Sequence, residues 1–349
     1  LSSEPATLRP GGSRGLRLAG LIISLLALGI LVRSVDLAAS ARLASQADLR
    51  YLLGCLAVIA TQVALRSARW RLLLPRRSGG DRIALRRIPA PLLVGYLGNA
   101  VLPARLGEPV RAYLVARREG VDAMESFGSV VVERVVDTVT LALVAWVAAM
   151  GIGAPEWLVR AMGIVAVGGL VLIAVMVTVG FRPLATLARR LMGWMPGGDR
   201  LETIAGWFER LARGVDRPSR SLAVVVAVII SAACWLLDML TFWLVARSIG
   251  VEMTLPAALL VAAVTVLGTA LPSAPGYVGT FELAAATTAQ ALGVGTDASL
   301  ALAVLAHAIC VLPAAIAGAL ALVSMDVRLG RLVADAASAS KSAKSAAGR

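Results

Sequence analysis

Predominantly apolar runs lie at 16–32, 51–65, 126–150, 158–180, 221–246 and 298–324. Each run is at or near the roughly 20 residues that cross about 30 Å of hydrocarbon as a helix. Two further apolar regions, 88–118 and 255–292, are interrupted by Pro and Gly into pieces too short to cross alone. The pattern predicts an all-α polytopic membrane protein with six full spans plus two broken or re-entrant helical hairpins.

The order of these segments repeats. Span, span, broken segment, span describes 16–150, and the same order describes 158–325, started from the other face. "LGNAVLP" at 97–103 resembles "LGTALP" at 267–272, and each leads within about ten residues to a glutamate, Glu108 and Glu282. Paired discontinuous helices in two such halves are the expectation for an inverted repeat. The breaks are assigned to Pro103 and Gly107 in the first half and to Pro272, Pro275 and Gly276 in the second.

Composition agrees with a membrane solvent. Of 349 residues, 58% are hydrophobic and 16% charged, and the mean hydropathy is +0.82. Soluble domains carry nearer half and a quarter. The net charge of +13 does not point to nucleic acid, because the arginines cluster between apolar runs without interleaved aromatics. Arg66, Arg69, Arg71, Arg76, Arg77, Arg82, Arg86 and Arg87 are read as one connector; Arg182, Arg189, Arg190, Arg200, Arg210, Arg213, Arg217 and Arg220 fall in another. A positive-inside orientation puts both in the cytoplasm, with the N- and C-termini on the same side of a bacterial-type plasma membrane.

The chain then divides into a cytoplasmic segment at 1–15, a single transmembrane domain at 16–325, and a low-complexity tail at 326–349 expected to be disordered. The run at 16–32 reads as a retained span and not a signal peptide. Residues 183–217 read as a cytoplasmic amphipathic helix, with Leu184, Leu187, Leu191, Ile204, Trp207, Phe208 and Leu211 on its apolar side, lying on anionic headgroups. Cys55, Cys234 and Cys310 stand alone in apolar runs, which supports neither disulfides nor a metal site.

Charges within spans are costly enough to require partners or water. Glu133 and Asp137 are four apart on one helical face, and Arg134 can reach Asp137. Two carboxylates together need cations, and Arg105 and Arg111 of the adjacent broken segment are the candidates. The cluster can be purely structural, or it can line a cavity in which an arginine exchanges a carboxylate for a phosphate. Asn99 and Glu108 lie in the same segment. In the second break, free N–H groups near Gly279 and Thr280 could attract an anion, with Glu282 in the first turn as counter-ion, proton carrier or simple helix cap. Asp238 is read as a proton site or a helix-to-helix bond, and His307 as a packed core histidine. A phosphate-binding "GxxxxGK[ST]" motif is absent from the sequence, so neither ATP nor another cofactor is expected.

At "LGNAVLPARLGEPVRAYLVARREG", "VVERVVDT" and "LPSAPGYVGTFE" the chain resembles the lysylphosphatidylglycerol synthase transmembrane-region family, whose members include stand-alone flippase-like domains. The resemblance spans roughly 15–325. It implies a lipid-translocating domain, and it carries the family pattern onto Asn99, Pro103, Arg105, Gly107, Glu108 and Arg111, then Glu133, Arg134 and Asp137, then Pro272, Pro275, Gly276, Gly279 and Glu282. Full-length synthases continue into a soluble aminoacyltransferase domain where this sequence ends in a short tail, so aminoacylation is not expected of it. The expected function is movement of an anionic phospholipid or lipid-linked intermediate. The partners are then membrane lipids, with a separate lipid-modifying enzyme, and Arg105 and Arg111 hold the headgroup. The other readings are an integral-membrane transferase using Glu133 or Asp137 as base, and a non-transporting scaffold.

Overall fold

A computed structural model describes residues 37–102, 105–193, 198–219, 222–270 and 273–325. Among these residues all regular structure is helical. The expected first span at 16–32, the tail, Pro103 and Pro272 lie outside the described residues.

Among the described residues, four helices are long and apolar enough to cross a bilayer: α2 (Leu49–Leu73), α6 (Glu156–Thr178), α9 (Leu222–Ser248) and α12 (Thr296–Ser324). A short helix α1 (Leu37–Ser45) precedes them and packs on α12. The apolar run at 126–150 lies in α5 (Ala123–Gly151), whose 29 residues extend about 44 Å at 1.5 Å per residue. It carries Glu133, Arg134 and Asp137 within its length. Six full spans are therefore not reproduced as such: four meet the apolar criterion, α5 has the length with internal charge, and the first expected run is not described.

Local signals set the helix ends. Asp48 accepts the Arg50 N–H at 2.8 Å ahead of α2, and Asp122 accepts the Met124 and Glu125 N–H groups at 2.8 and 2.9 Å ahead of α5. A helix α4 (Gly107–Glu119) stops at Gly120, which takes the left-handed conformation at φ 69°. Arg77 and Arg87 of the connector at 74–88 both pair with Glu119 at the end of that helix.

Each broken segment is two short helices that turn back on each other. In the first, α3 (Pro89–Val101) is followed by α4; in the second, α10 (Leu255–Gly268) is followed by α11 (Thr280–Ala291). Glycine makes the first pair possible. A Cβ on Gly98 would lie 2.7 Å from the Gly107 Cα, and Gly95 abuts Arg111, so α4 runs antiparallel to α3 with backbones touching. Gly107, expected as a break, serves as a close-approach residue at the start of α4. In the second pair a Cβ on Gly268 would meet Ala284 at 3.0 Å.

The two hairpins occupy exchanged positions. α3 packs on α12 and α4 on α5, while α10 packs on α5 and α11 on α12; α2 packs on α9. The tips of the two breaks meet, since a Cβ on Gly276 would lie 3.2 Å from the Ala100 carbonyl oxygen.

The amphipathic segment differs from expectation. It is two helices, α7 (Arg182–Gly193) and α8 (Gly198–Ser219), packed on each other, with α8 also packed on α5. Gly128 and Gly214 let α5 and α8 approach backbone to backbone, and Arg213 Nε donates to Glu125 at 2.8 Å. Leu184, Leu187, Trp207 and Phe208 remain exposed. This pair is stabilised by packing as well as by one-sided amphipathicity.

Candidate functional site

The cytoplasmic connector read from 66 onward begins too early. Arg66 and Arg69 sit on α2 with Gln62, at helical spacings of four and three, and turn inward. The Arg69 side chain has no exposed surface. Its two terminal nitrogens grip both carboxylate oxygens of Asp137, and it also donates to Glu133 at 3.0 Å and to the Ser231 hydroxyl at 2.6 Å. Trp235 on α9 completes this end by donating its indole N–H to the Asp137 backbone carbonyl at 3.0 Å.

Arg111 on α4 closes the other side. It donates to Glu108 at 2.6 and 3.0 Å and to both oxygens of Glu133 at 3.2 Å, and it lies over the Trp70 ring at 4.7 Å. Arg134 reaches Glu133 at 2.7 Å, Asp137 at 3.4 Å and Glu108 at 3.7 Å. Glu133 and Asp137 thus receive their cations from Arg69, Arg111 and Arg134. Arg105 does not join them, contrary to expectation.

Arg105 stands at the tip of the first break and is directed to the second. Its Nη2 donates to the Thr269 hydroxyl at 2.9 Å, and its guanidinium lies 5.6 Å from the centre of the Tyr277 ring. Arg105 and Tyr277 both adopt positive φ, 53° and 63°, and no other non-glycine residue does so among the described residues. Such conformations cost about 1–3 kcal/mol each and persist where the surroundings impose them.

A cavity of about 230 Å³ opens between these tips, α2, α9 and α12. One water's share of liquid volume is about 30 Å³, so the space suits a headgroup-sized group. Arg66, Arg105, Arg134, Glu108 and Asp238 bring charge to its wall, beside Tyr96, Asn99, Thr269 and Tyr277. Phe242, Phe281, Val266 and Val311 contribute apolar lining. Arg66 donates to Asp238 at 2.8 Å and lies 5.7 Å from the Trp235 ring centre, so Asp238 bonds a neighbouring helix through an ion pair.

The expected site residues fall into three groups. Arg105, Asn99, Glu108 and Arg134 line the cavity; Arg111, Glu133 and Asp137 form the closed network behind it. Gly279, Thr280 and Glu282 lie elsewhere, in a structural cap. Glu282 accepts the Gly279 N–H at 2.7 Å and contacts His307 Nδ1 at 2.5 Å, and the Thr280 hydroxyl donates to the Tyr277 carbonyl. Of the backbone donors expected to attract an anion, the Gly279 N–H is thereby engaged by Glu282. His307 Nε2 donates to the Gly276 carbonyl at 2.7 Å and its ring stacks on Phe281 at 4.5 Å, so it clamps the second break. Pro275 and Gly276 form the 3-10 turn of that break, with Gly276 at φ 71°. Among the described residues there is no cluster suited to a metal ion.

Apolar helices of spanning length, and broken hairpins folded around a buried charge cluster, define a multi-pass α-helical membrane protein. The chain belongs to the family described as the lysylphosphatidylglycerol synthase TM region, which matches residues 17–318. It is 27% identical over 364 residues to the glycosyltransferase AglD of Haloferax volcanii, an alignment covering 95% of this chain and 58% of that protein. It is also 27% identical over 251 residues to the UPF0104 membrane protein of Methanothermobacter thermautotrophicus, covering 66% of this chain and 70% of that protein. The chain thus spans less than two thirds of AglD.

Proposed function

We propose that the protein is a lipid flippase that moves an anionic phospholipid or lipid-linked intermediate across the plasma membrane. The observation that carries this reading is the cavity at the meeting of the two break tips, with Arg105 on its wall free of any carboxylate among the described residues. The headgroup enters beside Arg105, Arg66 and Arg134, and the lipid tail lies along the apolar wall. The guanidinium fork suits phosphate oxygens as well as carboxylates.

The two hairpins act as re-entrant gates related as an inverted repeat. The exchanged packing of α3 on α12 and α10 on α5 supports that relation. The termini face the cytoplasm, and the exposed apolar residues of α7 and α8 rest on the inner leaflet beside Arg182, Arg189 and Arg190.

A transferase reading is favoured by the similarity to AglD, a glycosyltransferase by name. It requires a free base, and Glu133 and Asp137 are buried, engaged by three arginines and off the cavity wall. The decisive experiment reconstitutes the full chain in proteoliposomes and follows headgroup translocation. Arg105→Ala is expected to abolish it with the fold retained. Wild-type rates in that variant, or mass-spectrometric detection of a covalently altered lipid, would overturn the proposal.

A further inference from the structure

The charges of the cavity wall and of the network behind it do not balance. Five arginines, Arg66, Arg69, Arg105, Arg111 and Arg134, face four carboxylates, Glu108, Glu133, Asp137 and Asp238, leaving one positive charge. Four of the arginines lie within 4 Å of a carboxylate oxygen. Arg105 does not, among the described residues, so the excess resides there. Its neighbours are substitutes for an anion: a hydroxyl already donating to the Val266 carbonyl, and the negative face of a phenol ring. Arg66, Arg105 and Arg134, all on the cavity wall, each keep a buried Nε–H without a hydrogen-bond partner. Asn99 Oδ1 and the Tyr96 hydroxyl are also unpartnered on this wall, so its unpaired N–H donors outnumber its unpaired acceptors at the place where positive charge exceeds negative.

From this balance we infer that the cavity selects a ligand with one negative charge, a lipid phosphodiester, and that Tyr277 is the positioning residue that holds Arg105 until the anion displaces it. One negative charge neutralises the cluster, whereas two would leave an uncompensated anion in a low-dielectric site. The apolar wall formed by Phe242, Phe281, Val266 and Val311 asks for a hydrocarbon attachment that inorganic phosphate lacks. Because the displaced face belongs to the second break, binding also loosens the contact between the two hairpin tips. The inference rests on the cavity being the lipid site of the proposed flippase, but it concerns charge selection and not movement.

The test measures binding to the purified full chain in neutral detergent, read by tryptophan fluorescence, since Trp235 lies on the wall beneath Arg66. Probes are short-chain phosphatidylglycerol (monoanion), short-chain phosphatidic acid, and inorganic phosphate, at about pH 8.5, well above the second phosphate pKa of about 6. Phosphatidylglycerol should bind about tenfold or more tightly than either of the others. Arg105→Gln should weaken its binding roughly 10- to 100-fold, the loss of a charge-assisted hydrogen bond. Tyr277→Leu removes the competing ring face and should tighten binding, and by more than Tyr277→Phe, which keeps that face. Asp238→Asn removes a negative charge, raising the positive excess on the wall from one to two, and should move preference toward phosphatidic acid, an outcome that does not depend on Arg105 variants folding.

Equal or tighter binding of phosphatidic acid by the wild type, an unaffected Arg105→Gln, or no change of preference in Asp238→Asn would overturn the inference. Inorganic phosphate bound as tightly as phosphatidylglycerol would overturn its lipid part. Charge selection without translocation in proteoliposomes would remove the flippase reading alone, and translocation without charge selection would remove this inference alone.

Discussion

Arg69 of α2 and Asp137 of α5, 68 residues apart in sequence, are joined through both terminal guanidinium nitrogens and both carboxylate oxygens. Ser231 of α9 shares the same guanidinium. Three helices are thus tied at one buried point, and this tie stands behind the cavity without touching it.

Arg69→Met leaves Asp137 with only the 3.4 Å contact to Arg134 and takes one of three arginines from Glu133. Breaking one side of a buried pair costs about 3–5 kcal/mol, so thermal unfolding in detergent should shift down by that amount. Arg69→Met combined with Asp137→Leu should recover part of the loss, because the orphaned carboxylate is gone. A double variant less stable than Arg69→Met would contradict this account.

Gly98→Ala and Gly107→Ala force the α3 and α4 backbones apart, and each is expected to destabilise by about 1–3 kcal/mol. Gly168→Ala on α6 meets open space and should be neutral or stabilising by up to about 1 kcal/mol. Melting curves of the three variants separate close approach from helix propensity.

Glu282 tests how the second break is held. In Glu282→Gln the amide oxygen can still accept the Gly279 N–H while its nitrogen donates to His307 Nδ1, so stability should stay within about 1 kcal/mol. Glu282→Ala loses both contacts and should cost about 1–3 kcal/mol. Equal melting temperatures for the two variants would count against the clamp.

Arg105→Gly is expected to separate folding from function. Relief of the left-handed conformation at φ 53° should raise stability by about 1 kcal/mol. The same change removes the unpaired cation and should eliminate anion binding in the fluorescence titration. A loss of stability together with binding would indicate that Arg105 serves the fold.

Much of this arrangement was readable in the residues themselves. The carboxylates at 133 and 137 announced a buried cation requirement, and the proline and glycine interruptions announced two broken hairpins. The donors were partly misassigned, because Arg66 and Arg69 adjoin a run of truly exposed arginines and share their composition. Their spacing from Gln62 was the available signal, since 62, 66 and 69 fall on one helical face. The destination of Arg105 could not be read. It depends on the meeting of two tips 164 residues apart between Arg105 and Thr269. Glu282 was ambiguous for a different reason: a first-turn glutamate serves equally as a cap or a counter-ion, and only the position of His307 decides its partners.

The glycine seam between α3 and α4 has a mechanical consequence. Backbones in direct contact at Gly98 and Gly107 have no slack to slide or bend between them, so the first hairpin behaves as one lever. Any stroke of that lever must be taken up at its ends: at Gly120, whose φ of 69° already departs from helix, and in the arginine-rich connector that Arg77 and Arg87 moor to Glu119. The fulcrum therefore lies fifteen residues from Arg105, and a small rotation there becomes a larger sweep of Arg105 at the tip, beyond a 13-residue helical arm roughly 20 Å long at 1.5 Å per residue.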